Sequence, residues 1–154
     1  PLSSMGKAED WDSVISLCGC GVSLPEDWAI EKLRRFDDWQ LDDPPEKDPG
    51  DLSVYRRVRD EIRARVLGLC RSIAATTSVL FCCKMNSCRS QMAEGFLRHF
   101  IALGAVPAGF STGGCGLAGS EVNQNAVKVM GEVGVDISAA ASKPLSSMGK
   151  PTDW

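Results

Sequence analysis

Residues 78–100 read SVLFCCKMNSCRSQMAEGFLRHF, and the fold turns on how this stretch is parsed. Ser78-Val79-Leu80-Phe81 is a short apolar run of strand type. Beyond the cysteines, Met92, Phe96, Phe100 and Leu103 recur at helical spacing. Three cysteines and an arginine therefore sit in a strand–loop–helix turn. An α/β protein builds anion sites there, because the helix N-terminus offers N–H groups and a partial positive charge. Five residues separate Cys83 from Arg89. A loop of that length wraps a tetrahedral oxyanion with successive N–H groups turned inward as a nest. Arg89 closes the ring and offers a bidentate fork. The same field favours the thiolate of Cys83 at neutral pH, and Ser90, next to the helix start, is placed to donate a hydrogen bond to it. The plain alternative is a buried cysteine and a surface arginine at a coincidental spacing; the position between strand and helix favours the site.

Outward from this turn, strands alternate with helices. Ser13-Val14-Ile15-Ser16-Leu17 is a buried-strand candidate ending at Cys18-Gly19-Cys20-Gly21. Residues 22–38 read as a loop and one short helix anchored by Trp28, Ile30, Leu33 and Phe36. Trp39-Gln40-Leu41 is a second short strand, stopped by Asp42-Asp43-Pro44-Pro45. In residues 51–73, Leu52, Tyr55, Val58, Ile62, Val66, Leu69 and Ile73 form one stripe opposite a charged face. A helix over 91–104 stops at Gly104. Phe110-Ser111-Thr112 is a weak strand before a glycine-rich loop, and a helix over 121–133 closes at Gly134. The pattern predicts an α/β fold: a four-stranded parallel sheet with helices on both faces, the strand at 78–82 central and the anion loop leaving its C-terminal end.

The 154 residues fit a single domain, and 44% hydrophobic with 24% charged residues is an ordinary globular composition. A net charge of −3 argues against a nucleic-acid binder. No apolar run approaches a membrane span and no signal peptide is visible, so the expected location is the cytoplasm. Seven cysteines, clustered at 18/20 and 82/83/88, suit reactive thiols in a reducing compartment better than structural disulfides. One feature is unusual. Pro1-Leu2-Ser3-Ser4-Met5-Gly6-Lys7 recurs letter for letter as Pro144-Leu145-Ser146-Ser147-Met148-Gly149-Lys150, and both copies run on to Asp-Trp, at Asp10-Trp11 and Asp153-Trp154. A local duplication is one explanation; a unit cut with overlap from a tandem array, with neighbouring repeat units, is the sharper one.

The segment CKMNSCRSQMAEGFLRHF resembles the phosphate-loop region of low-molecular-weight protein tyrosine phosphatases and of the arsenate reductases built on that fold. NQNAVKVMGEVGVDIS is similar to that family's second helix and the strand region after it. VISLCGCGVSLPEDW resembles its redox loop, and WQLDDPPEK with YRRVRDEIRARV resembles its acid loop and last helix. The order differs: in the family the Cys-x5-Arg segment opens the chain, whereas here the redox loop, acid loop and last helix (12–73) precede the phosphate-loop half (78–143). The resemblance therefore implies a circularly permuted single domain, with 1–11 and 144–154 as the duplicated terminal segment.

The resemblance also implies a chemistry. The loop Cys83, Lys84, Met85, Asn86, Ser87, Cys88 and Arg89 would hold arsenate, and Cys83 would attack arsenic. Asp43 matches the general acid, with Asp42 as the competing choice. Cys18 is the expected second thiol, and Cys20 would pass the disulfide on or share it with Cys18. A Cys-x-Cys disulfide is strained and easily reduced. The short spacing resembles the cyanobacterial-type enzymes, which implies glutathione and glutaredoxin as electron donors rather than thioredoxin, with no bound cofactor; Gly19 and Gly21 leave room for a tripeptide. Asn86 and Glu94 match positions that bind potassium in some relatives, although an asparagine there more often stabilises the loop backbone.

Other residues read as structural. Cys82 is expected in the core, Cys88 as loop support, Cys70 on the apolar edge of its helix, and His99 on the surface; Cys115 carries no assignment. Zinc at 18, 20, 82 and 83 lacks the usual ligand spacing. Two rivals use the same loop. A tyrosine phosphatase would need Cys83, Arg89 and Asp43, but Pro44-Pro45-Glu46-Lys47 lacks the aromatic residues of a phosphotyrosine slot, and the Cys18–Cys20 pair would have no task. A non-catalytic oxyanion-binding module leaves both the acid and the shuttle thiols unexplained.

Overall fold

Alternating short apolar runs and amphipathic stretches place four parallel strands in one sheet, in the order β2-β1-β3-β4. The computed structural model describes residues 10–19, 34–44, 50–74, 77–107, 110–116 and 121–144. The strands are β1 (Ser13–Ser16), β2 (Phe36–Asp38), β3 (Ser78–Cys82) and β4 (Ser111–Cys115). β3 lies inside the sheet, with Ser16 level with Cys82 on one side and Cys115 level with Cys82 on the other. Every residue of β1 and β3 is buried, as expected for strands of a parallel sheet covered on both faces.

β2 occupies Phe36–Asp38, not the predicted 39–41. Phe36, Asp37 and Asp38 pair with Val14, Ile15 and Ser16 at the sheet edge, where half-buried polar residues are tolerated. Gln40, at φ +49°, breaks the extended backbone that a strand over 39–41 requires. Within the predicted loop-and-helix segment 22–38, residues 36–38 are thus strand; residues 20–33, with Trp28, Ile30 and Leu33, lie outside the described residues. β4 runs further than the predicted 110–112, because Gly113 and Gly114 pair with Leu80 and Phe81 instead of opening a loop.

Helix α1 (Leu52–Ser72) is capped by Asp51, whose carboxylate accepts from the Ser53 N–H at 2.7 Å. Its stripe of Tyr55, Val58, Ile62, Val66 and Leu69 is buried as the periodicity predicts. The charged face is not merely solvated: Arg56 and Arg59 reach Glu132, Arg57 reaches Asp42, and Arg65 donates to the Trp39 carbonyl. Helix α2 (Arg89–Ala102) starts two residues earlier than predicted, and helix α3 (Gln124–Gly131) is shorter than 121–133, with Asn123 as its cap. Gly104 and Gly134 carry the positive φ that ends each helical segment. Among the described residues the three helices contact one another, α1 lying against both α2 and α3. β1 and β3 are tied at their start by Asp12, whose carboxylate accepts from the N–H and hydroxyl of Ser78, both at 2.9 Å.

Candidate active site

The end of β3 delivers Cys83 directly into the loop that caps α2. Asn86 turns that loop with φ +49°, a conformation asparagine tolerates better than most residues. Gly116, just past β4, lies so close that a Cβ there would stand 2.4 Å from the Asn86 nitrogen and 2.8 Å from the Cys83 carbonyl oxygen. The loop is thus closed in from the β4 side, and only glycine fits.

Cys83, Lys84, Met85, Ser87, Cys88 and Arg89 line a cavity of about 100 Å³, and Asp43 completes it from the loop after β2. The Cys83 sulfur lies 2.9 Å from the Ser90 hydroxyl, which also accepts from the Asn86 side-chain amide at 2.8 Å. Arg89 is buried. Its Nη1 donates to the Leu41 carbonyl at 2.9 Å and its Nη2 to Asp43 at 2.7 Å, while its Nε–H has no partner. A buried guanidinium donor left open is costly unless a ligand takes it up. Burial, then the neighbouring Cys83 and Asp43, push the Cys88 thiol far above its ordinary range, with Arg89 opposing. Cys88 is a buried residue of the cavity lining.

Asp42 and Asp43 part company. Asp43 faces Arg89 and the cavity, whereas Asp42 pairs with Arg57 at 2.7 Å on a more open surface. Cys18 is half-buried, two residues beyond β1. The Leu17 N–H donates to the Cys82 carbonyl at 2.9 Å, so Cys18 and Cys83 leave neighbouring strands at the same, C-terminal end. Gly19, at φ +59°, turns the chain there and donates its N–H to Asp38. Cys20 and Gly21 lie outside the described residues.

The two positions matched to potassium are otherwise engaged. Glu94, buried, accepts from Arg98 at 2.7 Å and faces the Lys143 ammonium at 3.4 Å. Asn86 spends its amide on Ser90, Gln91 and Lys143. No grouping of metal-ligating side chains occurs among the described residues. His99 is half-buried rather than on the open surface, tilted against Phe100. Cys82 is wholly buried and Cys70 nearly so.

Sequence reasoning missed the outer supports of the loop. Gln91 donates to both the backbone and side-chain oxygens of Asn86 and to the Ala141 carbonyl. Ser142 donates to the Met85 carbonyl, the Lys143 N–H to Asn86, and the Asn123 N–H to Ser87. A polar Gln91 in the buried first turn of α2 was the available signal; residues 141–143 offered none.

Residues 78–153 match the family model described as low molecular weight phosphotyrosine protein phosphatase. The chain is 48% identical over 67 residues to the glutaredoxin arsenate reductase of Synechocystis sp., covering 44% of this chain and 47% of that protein. It is 44% identical over 64 residues to the arsenate reductase of Shouchella clausii (42% of each) and 39% identical over 69 residues to that of Bacillus subtilis (45% of this chain, 46% of that protein). The chain thus spans about half the length of the curated relatives it matches. No solved structure matches it. No helix among the described residues is long and apolar enough to cross a membrane.

Proposed function

We propose that this protein reduces arsenate to arsenite through a covalent Cys83 adduct and a thiol–disulfide cascade. The observation that carries this reading is the buried, unsatisfied Nε–H of Arg89, a residue that lines, together with Cys83, a cavity of about 100 Å³, the scale of one tetrahedral oxyanion. The similarity to proteins named arsenate reductase supports the choice of oxyanion.

The Cys83 thiolate attacks arsenic(V), an As–S bond forms, and one arsenate oxygen leaves as water. Asp43 supplies the proton to that oxygen, for which its place on the cavity suits it better than Asp42. Arg89 turns its fork from Asp43 and Leu41 to the oxyanion, which frees Asp43 to act. The Cys18 thiolate then attacks the Cys83 sulfur. An S–S bond forms, the As–S electron pair stays on arsenic, and arsenite departs two electrons richer. Cys20 takes the disulfide over from Cys83 by exchange, and two external thiols in succession, the first through a mixed disulfide, return it to thiols and leave as one external disulfide. The electron donor in this reading is glutathione with glutaredoxin, supported by the name of the Synechocystis relative and by the single residue between Cys18 and Cys20.

The domain in this reading is circularly permuted, with 12–73 supplying the redox loop, acid loop and last helix, and 78–143 the phosphate-loop half. Its support is that the family match begins only at residue 78, halfway along the chain. Arsenate reduction in the presence of glutathione and glutaredoxin, with p-nitrophenyl phosphate hydrolysis measured in parallel, tests the function. Arsenite release with weak ester hydrolysis is the expected result. Ester hydrolysis without arsenite release would transfer the site to the phosphatase reading, which the description of the family model favours.

A further inference from the structure

The oxyanion loop is held from outside by a strap, residues 141–143, that no motif in the sequence announces. The strap makes three contacts with it. The Ser142 hydroxyl donates to the Met85 carbonyl at 2.9 Å, the Gln91 amide ties the Ala141 carbonyl to Asn86, and the Lys143 backbone N–H donates to Asn86 Oδ1 at 2.6 Å. The strap is itself anchored to the sheet, because Gly116 donates its N–H to the Lys143 carbonyl at 3.1 Å.

The last contact has a direction. A backbone N–H can only donate, so the Asn86 atom facing Lys143 is the carbonyl oxygen. The second donor to that oxygen, Gln91 Nε2 at 2.9 Å, agrees. The Asn86 amide nitrogen must then face Ser90, and it does, at 2.8 Å. Ser90 Oγ accepts from it, which leaves the one hydroxyl hydrogen for the Cys83 sulfur 2.9 Å away. Hydrogen bonds aligned in one sense polarise each other, and buried chains gain most; Asn86, Ser90 and Gln91 are all buried.

We propose that the Lys143 backbone N–H, backed by the Gln91 side chain, sets the direction of a hydrogen-bond chain through Asn86 and Ser90 that ends on the Cys83 sulfur, making Lys143 and Gln91 positioning residues for that thiolate. The inference rests on the role given to Cys83 above. It adds that a segment nearly sixty residues further along the chain controls the reactivity of Cys83 without touching substrate.

The test follows iodoacetamide alkylation of the Cys83-bearing fragment by mass spectrometry across pH 4–9, with and without phosphate, in the full chain. Lys143→Pro removes the N–H, and Lys143→Met keeps it while losing the ammonium that faces Glu94. The other charged and titratable groups around the sulfur, Asp43, Lys84, Cys88 and Arg89, are the same in both. At pH 6, Lys143→Pro is expected to react about tenfold more slowly than Lys143→Met, the equivalent of one unit along the pH axis, and its profile is displaced upward. A merely structural role would lower the melting temperature without displacing the profile. Equal profiles in a folded Lys143→Pro and Lys143→Met overturn the inference. If Lys143→Pro does not fold, Gln91→Leu decides it: an upward displacement supports the chain, and a profile identical to the unsubstituted protein removes it. Absence of phosphate protection in the unsubstituted protein would instead count against the oxyanion site itself.

Discussion

Cys83 and Arg89 both line the cavity of about 100 Å³, and each is expected to fail differently when replaced. Cys83→Ser is expected to leave the fold intact, since the hydroxyl is smaller and able to bond Ser90, and to abolish the proposed arsenite release, which an arsenate-reduction assay reads. Arg89→Lys loses the planar fork and its contact with Leu41 or Asp43; a fall of about a hundredfold or more in kcat/KM is expected, the range seen when a charge-stabilising donor is removed. Asp42 and Asp43 are separable by the same assay. Asp43→Asn is expected to reduce turnover at least about tenfold while arsenate still binds, whereas Asp42→Asn costs only an exposed pair with Arg57, worth about 0–1 kcal/mol of stability. Equal losses in the two variants would remove the assignment of the acid. Cysteine, the five-residue gap and arginine were legible because local chain chemistry imposes them. The separation of Asp42 from Asp43 was not, because it depends on where α1 brings Arg57.

At the scale of elements, the site is a seam between the ends of β1, β3 and β4. Gly116 is the tightest point, with no space for a side chain against the loop backbone. Gly116→Ala is expected to destabilise the protein by about 1–3 kcal/mol through overpacking and to weaken phosphate protection of Cys83, both readable by thermal melting and alkylation. At the opposite, N-terminal end of the strands, Asp12 holds β3 to β1. The Ser78 N–H lowers the Asp12 pKa most, the Ser78 hydroxyl and Arg34 add to this, and burial opposes them. Its folded pKa therefore lies below the ordinary value of 3.8. The stabilisation is complete above that value and is lost as pH falls through the lower folded one. Acid unfolding followed by circular dichroism should show Asp12→Asn less stable at neutral pH and with a shallower pH dependence below pH 4; parallel curves would show that the Asp12 link contributes nothing. The misplacement of β2 belongs here too: an edge strand gains its pairing from β1, so Phe36-Asp37-Asp38 needs little apolar content, and the more apolar Trp39-Gln40-Leu41 is turned aside by the backbone at Gln40.

Across the whole molecule, Trp11, fully buried, belongs to the segment whose sequence is repeated near the other end. Trp11→Ala is expected to cost about 3–5 kcal/mol, as for other large aromatic truncations in cores, measured by denaturant unfolding. The donor prediction also belongs to this scale, since it concerns the molecule's encounter with another protein. Turnover with glutaredoxin and glutathione should exceed that with thioredoxin and thioredoxin reductase, and Cys20→Ser should slow it; equal rates with both donors, or full activity in Cys20→Ser, would end that choice.

The sequence alone determined the α/β class, the long α1, the central β3 and the loop from Cys83 to Arg89 between β3 and α2. Each follows from interactions within a few residues of chain: apolar periodicity, helix caps, and the geometry of a loop closed by arginine. Tertiary structure decided what depends on contacts between distant segments. It put β2 at 36–38 by pairing with β1, set Asp43 against Arg89 while Arg57 took Asp42, and brought residues 141–143 onto Asn86. Those outcomes depend on the docking of one element against another, and a strap whose grip lies in one backbone N–H leaves no mark in the side-chain sequence from which it could be read.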